Sequence, residues 1–372
     1  MKNESTTLYF KQGSSDKEYH VMLRLHEDDW WDVIYSYGRR GGPLKRCLKT
    51  KEALPYAEAK ALYESMLHAK RLKGYTDGEN AVVFTDNPNA GRVTGFVPQL
   101  LNEVTVEEAD ILFNHCLMVN EPFAVQIKHD GERRGVSCGT EIISSNRKGT
   151  QVALNDNVHQ AIRDYLDSST SIHSVDLDTE DMGDHLVIFD VLQVNDTDLR
   201  DRPFLHRGSL LPVLWAGLRL RELEDTLRID IPFYPKSLEE FHTFVAKARN
   251  QKEEGIVIRL ANATYLPGRP HSGGTCLKLK FWKSASCRIA SIHPTKQSIG
   301  IEMLDETKTW VKVGNCTVNH AKKGLAVGMV VEIKYLYAYK GGSLFEPSFK
   351  GIRLDVYPKE CLHSQLKYKK GE

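Results

Sequence analysis

The residues best suited to covalent chemistry are Lys128 and the Asp130, Gly131 and Arg133 that follow it. A primary amine held at a strand end, partly out of water, can give up its proton and attack an electrophile. Lys278 and Lys280, two apart in Leu277-Lys278-Leu279-Lys280, face the same side of an extended segment. That spacing suits a phosphate clamp, and equally a solvated strand face. Acids recur between these points, at Asp176, Asp178 and Glu180, at Asp190, and at Glu253-Glu254. An Asp-Gly turn beside a lysine is also a common surface hairpin, so these residues alone leave a nucleophile and a plain turn both open.

The elements that must position them are legible as periods. Phe123, Val125 and Ile127 alternate with their neighbours, the pattern of a half-buried strand ending at Lys128. Asp130-Gly131 then reads as a tight turn, and Arg133-Arg134-Gly135-Val136 as the return strand of a hairpin. An apolar period over residues 106–116 predicts a helix ahead of it. Downstream, residues 142–149 predict a strand end and a basic glycine turn, 155–166 a helix, and 175–180 and 186–192 two strands carrying acids. Leu199-Arg200-Asp201-Arg202-Pro203 opens a leucine-rich helix, and residues 253–259 and 277–282 read as further strands. From residue 287 onward, short strands separated by turn residues predict a small barrel.

Ahead of this, residues 7–10, 19–25 and 31–36 read as strands. A helix from residue 50 carries Ala57, Ala61, Leu62 and Met66 on one stripe, with Glu58 and Lys70 outside it, which makes one small α+β domain. Arg39, Arg40 and Lys45 stand among Gly38, Gly41 and Gly42. Glycines allow close backbone approach to a phosphate, which arginine binds through two parallel hydrogen bonds. A solvated basic hairpin is the other reading. Residues 77–95, rich in Asp, Asn, Gly and Pro, read as a linker.

With 372 residues the chain has room for two or three domains. Its 50 basic and 49 acidic residues leave a net charge of +1, so any nucleic-acid footprint has to be local. The first residues lack the apolar core of a secretion signal and no run is long enough to span a bilayer, which predicts an intracellular protein without a membrane partner. Seven scattered cysteines, with no C-x-x-C pair, predict packed thiols in a reducing compartment. A monomer is the default expectation.

Six motifs, in order over residues 98–282, resemble the covalent nucleotidyltransferases, the family of ATP-dependent DNA ligases, RNA ligases and mRNA capping enzymes. They are Lys128-x-Asp130-Gly131-x-Arg133, Asn146-Arg147-Lys148-Gly149, Leu177-Asp178-Thr179-Glu180 (where the family prefers glycine at Thr179), Phe189-Asp190-Val191-Leu192, Glu254-Gly255-Ile256-Val257-Ile258 and Leu277-Lys278-Leu279-Lys280. The resemblance implies an α+β protein. Its nucleotidyltransferase domain, at 96–284, would have ATP-grasp-like antiparallel sheets with helices, and a C-terminal OB-fold β-barrel would occupy 285–372.

The resemblance also implies roles. Lys128 would take AMP from ATP, with Lys278 and Lys280 on the phosphates and Glu180 and Glu254 on Mg2+ or Mn2+, an ion for which one or two carboxylates suffice. Phe189 would stack on the base, or serve only as core. Gln126 would face the adenine amino group, Arg133 the nick phosphate and Arg147 the ribose. Arg353 and Asp355 match a motif that orients pyrophosphate, although Phe345-Glu346-Pro347 stands where DNA ligases commonly read Arg-Phe-Pro, and Val356 where many have lysine. Residues 1–76 resemble a WGR domain, a small α/β module that binds nucleic-acid ends, through Ser15-Asp16-Lys17-Glu18-Tyr19, Tyr37-Gly38-Arg39 and Lys73-Gly74-Tyr75, with Tyr37 in place of the signature tryptophan. Arg39, Arg40 and Lys45 are then its DNA contacts. The implied activity is sealing of nicked or broken duplex DNA; an RNA ligase, a capping guanylyltransferase and a catalytically inert end-binding tether are the rivals.

Overall fold

A computed structural model describes residues 4–12, 15–27, 29–39, 44–76, 93–318 and 324–371. The architecture is mixed α+β, with three sheets and a closed ring of strands. β1 (Glu4–Gln12), β2 (Ser15–Glu27), β3 (Trp30–Arg39) and β4 (Lys45–Leu48) form an antiparallel meander, with β5 (Leu54–Pro55) also on β3. Alternation puts Tyr19, Val21, Leu23, Trp31 and Val33 on one face, and α1 (Tyr56–Arg71) covers it.

The buried stripe of α1 differs from the expected one. Ala59, Tyr63 and Leu67 are buried, Leu62 and Met66 flank them, and Ala57 and Ala61 are exposed. A tyrosine ring buries far more area than an alanine methyl, and the Tyr63 hydroxyl finds Thr6 Oγ1 at 2.6 Å. Lys70, expected outside the stripe, lies with Nζ 4.1 Å from the Tyr19 ring centre, a cation–π contact.

The middle of the chain runs β6 (Asn102–Glu103), α2 (Val106–Met118), β7 (Phe123–Lys128), β8 (Glu132–Cys138), β9 (Ile142–Asn146), α3 (Asp156–Ser168), β10 (Val175–Asp181), β11 (Leu186–Val194), β12 (Thr197–Asp198), α4 (Phe204–Arg219), β13 (Leu227–Ile229), α5 (Leu238–Asn250), β14 (Gly255–Leu260) and β15 (Cys276–Lys280). These strands make two sheets, β6-β15-β14-β7 and β12-β11-β10-β8-β9, with β13 added to β11. The hairpin expected at Lys128 does not form: β7 pairs with β14, while β8 pairs with β10 and β9. The Asp130-Gly131 turn therefore carries the chain from one sheet to the other. Each strand follows its own core. Phe123 and Val125 pack with α2 and α5, whereas Val136 and Cys138 pack with α3 and α4. Only glycine fits the crossing, because a Cβ on Gly131 would stand 2.4 Å from the Asp181 carbonyl oxygen.

Helix α5 is absent from the sequence-based reading. Its signal is present: Ser237 Oγ accepts from the Glu240 amide at 3.2 Å, and Phe241, Val245 and Ala248 follow as the buried stripe. Beyond the sheets, β16 (Lys283–Ile292), β17 (Ser298–Leu304), β18 (Trp310–Thr317), β19 (Val330–Tyr335) and β20 (Ser348–Ile352) close in the order β16-β17-β18-β20-β19 around Ile289, Ile301, Val313, Val331 and Ile333. All seven cysteines are free thiols and all but Cys47 are buried. No described helix is long and apolar enough to cross a membrane.

The β1–α1 unit is anchored to the rest through Arg134, on the back of β8. This side chain is fully buried; Nη2 donates to the Leu72 carbonyl at 3.2 Å, Nη1 to the Arg133 carbonyl at 3.3 Å, and Nε faces Asp181 at 3.4 Å. Leu72 caps α1, where the helix dipole favours a cation. Removing one partner from a buried ion pair strands the other charge, so Arg134→Ala is expected to cost about 3–5 kcal/mol. Chemical denaturation of the full chain measures this, and an unchanged midpoint would refute the anchoring role.

Candidate active site

Strand register builds the site. Lys128 on β7, Gly255 on β14 and Lys280 on β15 lie side by side, and Gln126, Val257 and Lys278 form the next row on the same face. No side chain fits between the lysines, since a Cβ on Gly255 would approach the Leu279 carbonyl oxygen to 2.2 Å. Glu254, just before β14, bridges them: Oε2 accepts from Lys128 Nζ, and Oε1 stands 3.2 Å from Lys280 Nζ. Lys278 is half-buried, and burial with the nearby Lys280 holds its ammonium below the usual lysine range.

The second sheet faces this row. Arg133 pairs with Glu180, Gly135 with Asp178 and Ser137 with Asp176 along β8 and β10. Asp178 grips the Arg133 guanidinium at 2.5 and 2.6 Å, and Tyr265 Oη donates to the same carboxylate at 2.7 Å. The guanidinium also lies 4.5 Å from the Phe189 ring centre. Arg133 is thus turned inward, on the ring that the resemblance gives to a base. Gln126 is fully engaged as well: Nε2 donates to the carbonyls of Phe189 at 3.1 Å and Asp230 at 2.6 Å, and Oε1 accepts from Arg259 Nε at 3.1 Å. Gln126, Lys128, Arg133, Glu180, Phe189 and Arg259 line one narrow cleft.

Arg259 is not among the residues the sequence singles out. Its Nη1 reaches Asp190 at 3.2 Å, and Arg207 holds the same carboxylate at 2.8 and 3.0 Å. A signal exists, since Arg259 ends the apolar run Ile256-Val257-Ile258 on the face of Gly255 and Val257. His129, also unanticipated, stands 3.2 Å from Asp230, whose carboxyl burial raises and His129 lowers.

Glu180 is the most perturbed acid of the cleft. Burial pushes its carboxyl up to about 7 against the pull of Arg133, Lys128 and His129, and Glu254 adds to the rise. Among the described residues no cluster of three or more His, Cys, Asp or Glu could hold a metal. Two carboxylates that sense one another beside a cleft fit a hard cation that keeps its own waters, not a tetrahedral zinc.

Other expected site residues lie apart. Arg147 is exposed in the turn after β9, and Arg353 pairs with Asp355 at 2.8 Å on the surface after β20, drawing the Asp355 carboxyl down to about 2. None of the three lines the cleft. The barrel reaches the site through residues the sequence did not nominate. Tyr337 Oη donates to Asp130 Oδ2 at 2.7 Å, Lys369 Nζ stands 2.9 Å from the same oxygen, and Lys280 Nζ donates to Glu346 Oε2 at 2.6 Å. On the first sheet, Arg39 is exposed opposite Lys17, and Lys45 opposite Tyr37, which stacks on Tyr35. Arg40 lies outside the described residues.

Residues 154–280 match the family model described as ATP dependent DNA ligase domain. Glu180, Phe189, Glu254, Lys278 and Lys280 fall inside the match, while Gln126, Lys128 and Arg133 precede it. No curated protein matches the chain in sequence. Among solved structures, "Pmar-Lig_Pre." is similar at a TM-score of 0.54 and 17% identity, over 70% of this chain and 68% of that one. "Pmar-Lig_PreS3" follows at 0.53 and 18%, over 69% and 68%. A structure from work on Lig E DNA ligases gives 0.48 and 15%, over 69% and 99%. The first two show a shared fold.

The Glu180 shift carries a sign. Between its ordinary value near 4.5 and about 7, the folded protein keeps a proton that the unfolded chain has released. Stability therefore falls as pH rises through that window, by about 3 kcal/mol in full. Glu180→Gln is expected to be more stable than the parent at about pH 8 and equal to it at about pH 4. Parallel stability profiles from denaturant titrations would refute the shift.

Proposed function

We propose that this chain is an ATP-dependent ligase that seals 5′-phosphate/3′-hydroxyl nicks in duplex DNA. One observation carries the reading: Lys128, Glu254 and Lys280 form a single ion cluster at the ends of adjacent strands, with Glu180 and Arg133 across the cleft. A nick phosphate has no good leaving group, and adenylation supplies one. The Lys128 amine attacks the α-phosphorus of ATP, the bond to pyrophosphate breaks, and AMP stays on the lysine as a phosphoramidate. AMP then passes to the 5′-phosphate, and the 3′-hydroxyl displaces it. Each step is an in-line transfer governed by positioning and charge.

Lys128 donates a hydrogen bond to Glu254, so that carboxylate is where the proton can go as the amine attacks. Lys278 and Lys280, in successive rows, neutralise charge on the α-phosphate. Glu180 and Glu254 would hold Mg2+ or Mn2+, which screens the triphosphate. A base that stacks on Phe189 beside Gln126 has to displace Arg133, and the freed guanidinium then serves the nick phosphate. Arg147 on the ribose, and Arg353 with Asp355 on pyrophosphate, need the barrel and the β9 turn to approach the cleft.

The units we propose are a WGR-like end-binding domain at 1–76, a linker at 77–95, the adenylation domain at 96–284 and an OB-fold at 285–372. The whole acts as an intracellular monomer. The first unit would meet DNA through Arg39, Arg40 and Lys45 beside the Tyr37 ring.

With α-labelled ATP and magnesium, the protein should become labelled, Lys128→Ala should not, and a nicked DNA duplex should discharge the label. An unlabelled wild type, or a fully labelled Lys128→Ala, would overturn the enzyme reading. The DNA edge has its own test. Arg39→Glu with Lys45→Glu should weaken nick binding and flatten its dependence on log salt by about 2; an unchanged slope would make that edge a solvated face.

A further inference from the structure

The stretch that departs from the ligase pattern, Phe345-Glu346-Pro347, is one of the places where the barrel enters the site. Lys280 is 7% exposed and meets two acids, Glu254 of its own region at 3.2 Å and Glu346 of the barrel loop at 2.6 Å. Lys128 takes the other oxygen of Glu254. Two ammonium groups and two carboxylates make the cluster neutral, and only with Glu346 in it. Such balance matters where water is scarce.

The loop is built to deliver that carboxylate. Glu346 adopts a left-handed backbone, φ 51°, which a non-glycine residue keeps only where its surroundings impose it. The Phe345 ring stacks on Tyr337 with centres 4.8 Å apart and planes 10° from parallel. Tyr337 in turn donates to Asp130, beside Lys128. Lys369 lies 5.3 Å from the Tyr337 ring centre and 2.9 Å from the Asp130 carboxylate. One stacked unit thus sets an anion on Lys280 and a hydroxyl on Asp130 together.

We infer that Glu346 competes with a polyphosphate for the anion position on Lys280, so that entry of the triphosphate and departure of the Glu346 carboxylate are a single exchange. A polyphosphate carries more negative charge than one carboxylate and wins the position. Glu346 is 44% exposed, so its hold on Lys280 is open to screening and remains weak enough to be exchanged. The inference rests on reading Lys280 as a phosphate clamp, and its test is independent of catalysis.

Inorganic tripolyphosphate is the probe, titrated calorimetrically into the full chain. Glu346→Gln keeps the shape and removes the charge. It is expected to tighten binding about fivefold at low salt, with the gain shrinking as salt rises. Tyr337→Phe loses the hydroxyl on Asp130 but keeps the ring that Phe345 stacks on and the carboxylate, so it should give less of that gain than Glu346→Gln. On a Lys280→Ala background, Glu346→Gln should do nothing, because the carboxylate acts through that lysine. Equal affinities for wild type and Glu346→Gln, an equal gain in Tyr337→Phe, or a gain that survives in Lys280→Ala would each overturn the inference. Circular dichroism confirms that the variants fold. Labelling of Lys128 by ATP is read separately: its failure would remove the ligase reading and leave the tripolyphosphate comparison intact.

Discussion

Two sheets turn charged faces toward each other, out of water, and the rest of the molecule is arranged to make that tolerable. Asp178 and Asp190 are fully buried. An isolated carboxylate there would be far too costly, so each is hydrogen-bonded on both oxygens, Asp178 by Arg133 and Tyr265, Asp190 by Arg207 and Arg259. Such pairs add little net stability, because desolvation offsets the attraction. They fix geometry instead, since a slip of one residue on any of these strands would leave a charge unpaired. The stabilisation comes from the backs of the sheets, where α2 and α5 on one side, and α3 and α4 on the other, bury ordinary apolar faces.

Lys128 inherits its place from this arrangement. It stands where the chain leaves one sheet for the other, so Lys128 lies at the edge of one charged face and Arg133 opens the other. A true hairpin would have paired the two residues' strands in one sheet. The crossing sets Lys128 and Arg133 on opposite walls of a cleft.

Much of this was legible from residue order, and the limit has a physical form. The alternation in β7 and the two-residue spacing of Lys278 and Lys280 are local, and they predicted faces correctly. The six motifs were ordered well enough to bring Lys128, Glu180, Glu254 and Lys280 into one reading. What could not be read is which strand a strand chooses, because pairing is decided by contacts far apart in sequence; β7 selects β14, more than a hundred residues on, over its immediate neighbour. The same limit hid Arg134 and Glu346, whose partners, Leu72 and Lys280, are distant. Arg353 and Asp355 illustrate the converse: a motif position names a residue but not where its domain sits. Helix α5 is a different case, since Ser237 and Glu240 marked its start locally.

Lys128, Lys280, Arg133 and Arg259 each have an acidic partner, so an entering charged group has to exchange with one, and the partners differ in how easily they yield. If Arg133 swings off Phe189, Asp178 keeps the Tyr265 hydroxyl, which burial and then that carboxylate hold protonated far above the ordinary tyrosine value. If Glu346 leaves Lys280, Glu254 still bridges the two lysines. Asp190 has no comparable mobile partner, because Arg207 is held on α4 within the core and Arg259 is tied to Gln126. The site therefore divides into a frame, Asp190 with its two arginines and Gln126, and an exchangeable rim, Arg133 and Glu346. The two differ in consequence: Glu346 can leave without stranding a buried charge, because Glu254 still bridges the lysines, whereas departure of Arg133 would leave the buried Asp178 carboxylate with a neutral hydroxyl alone.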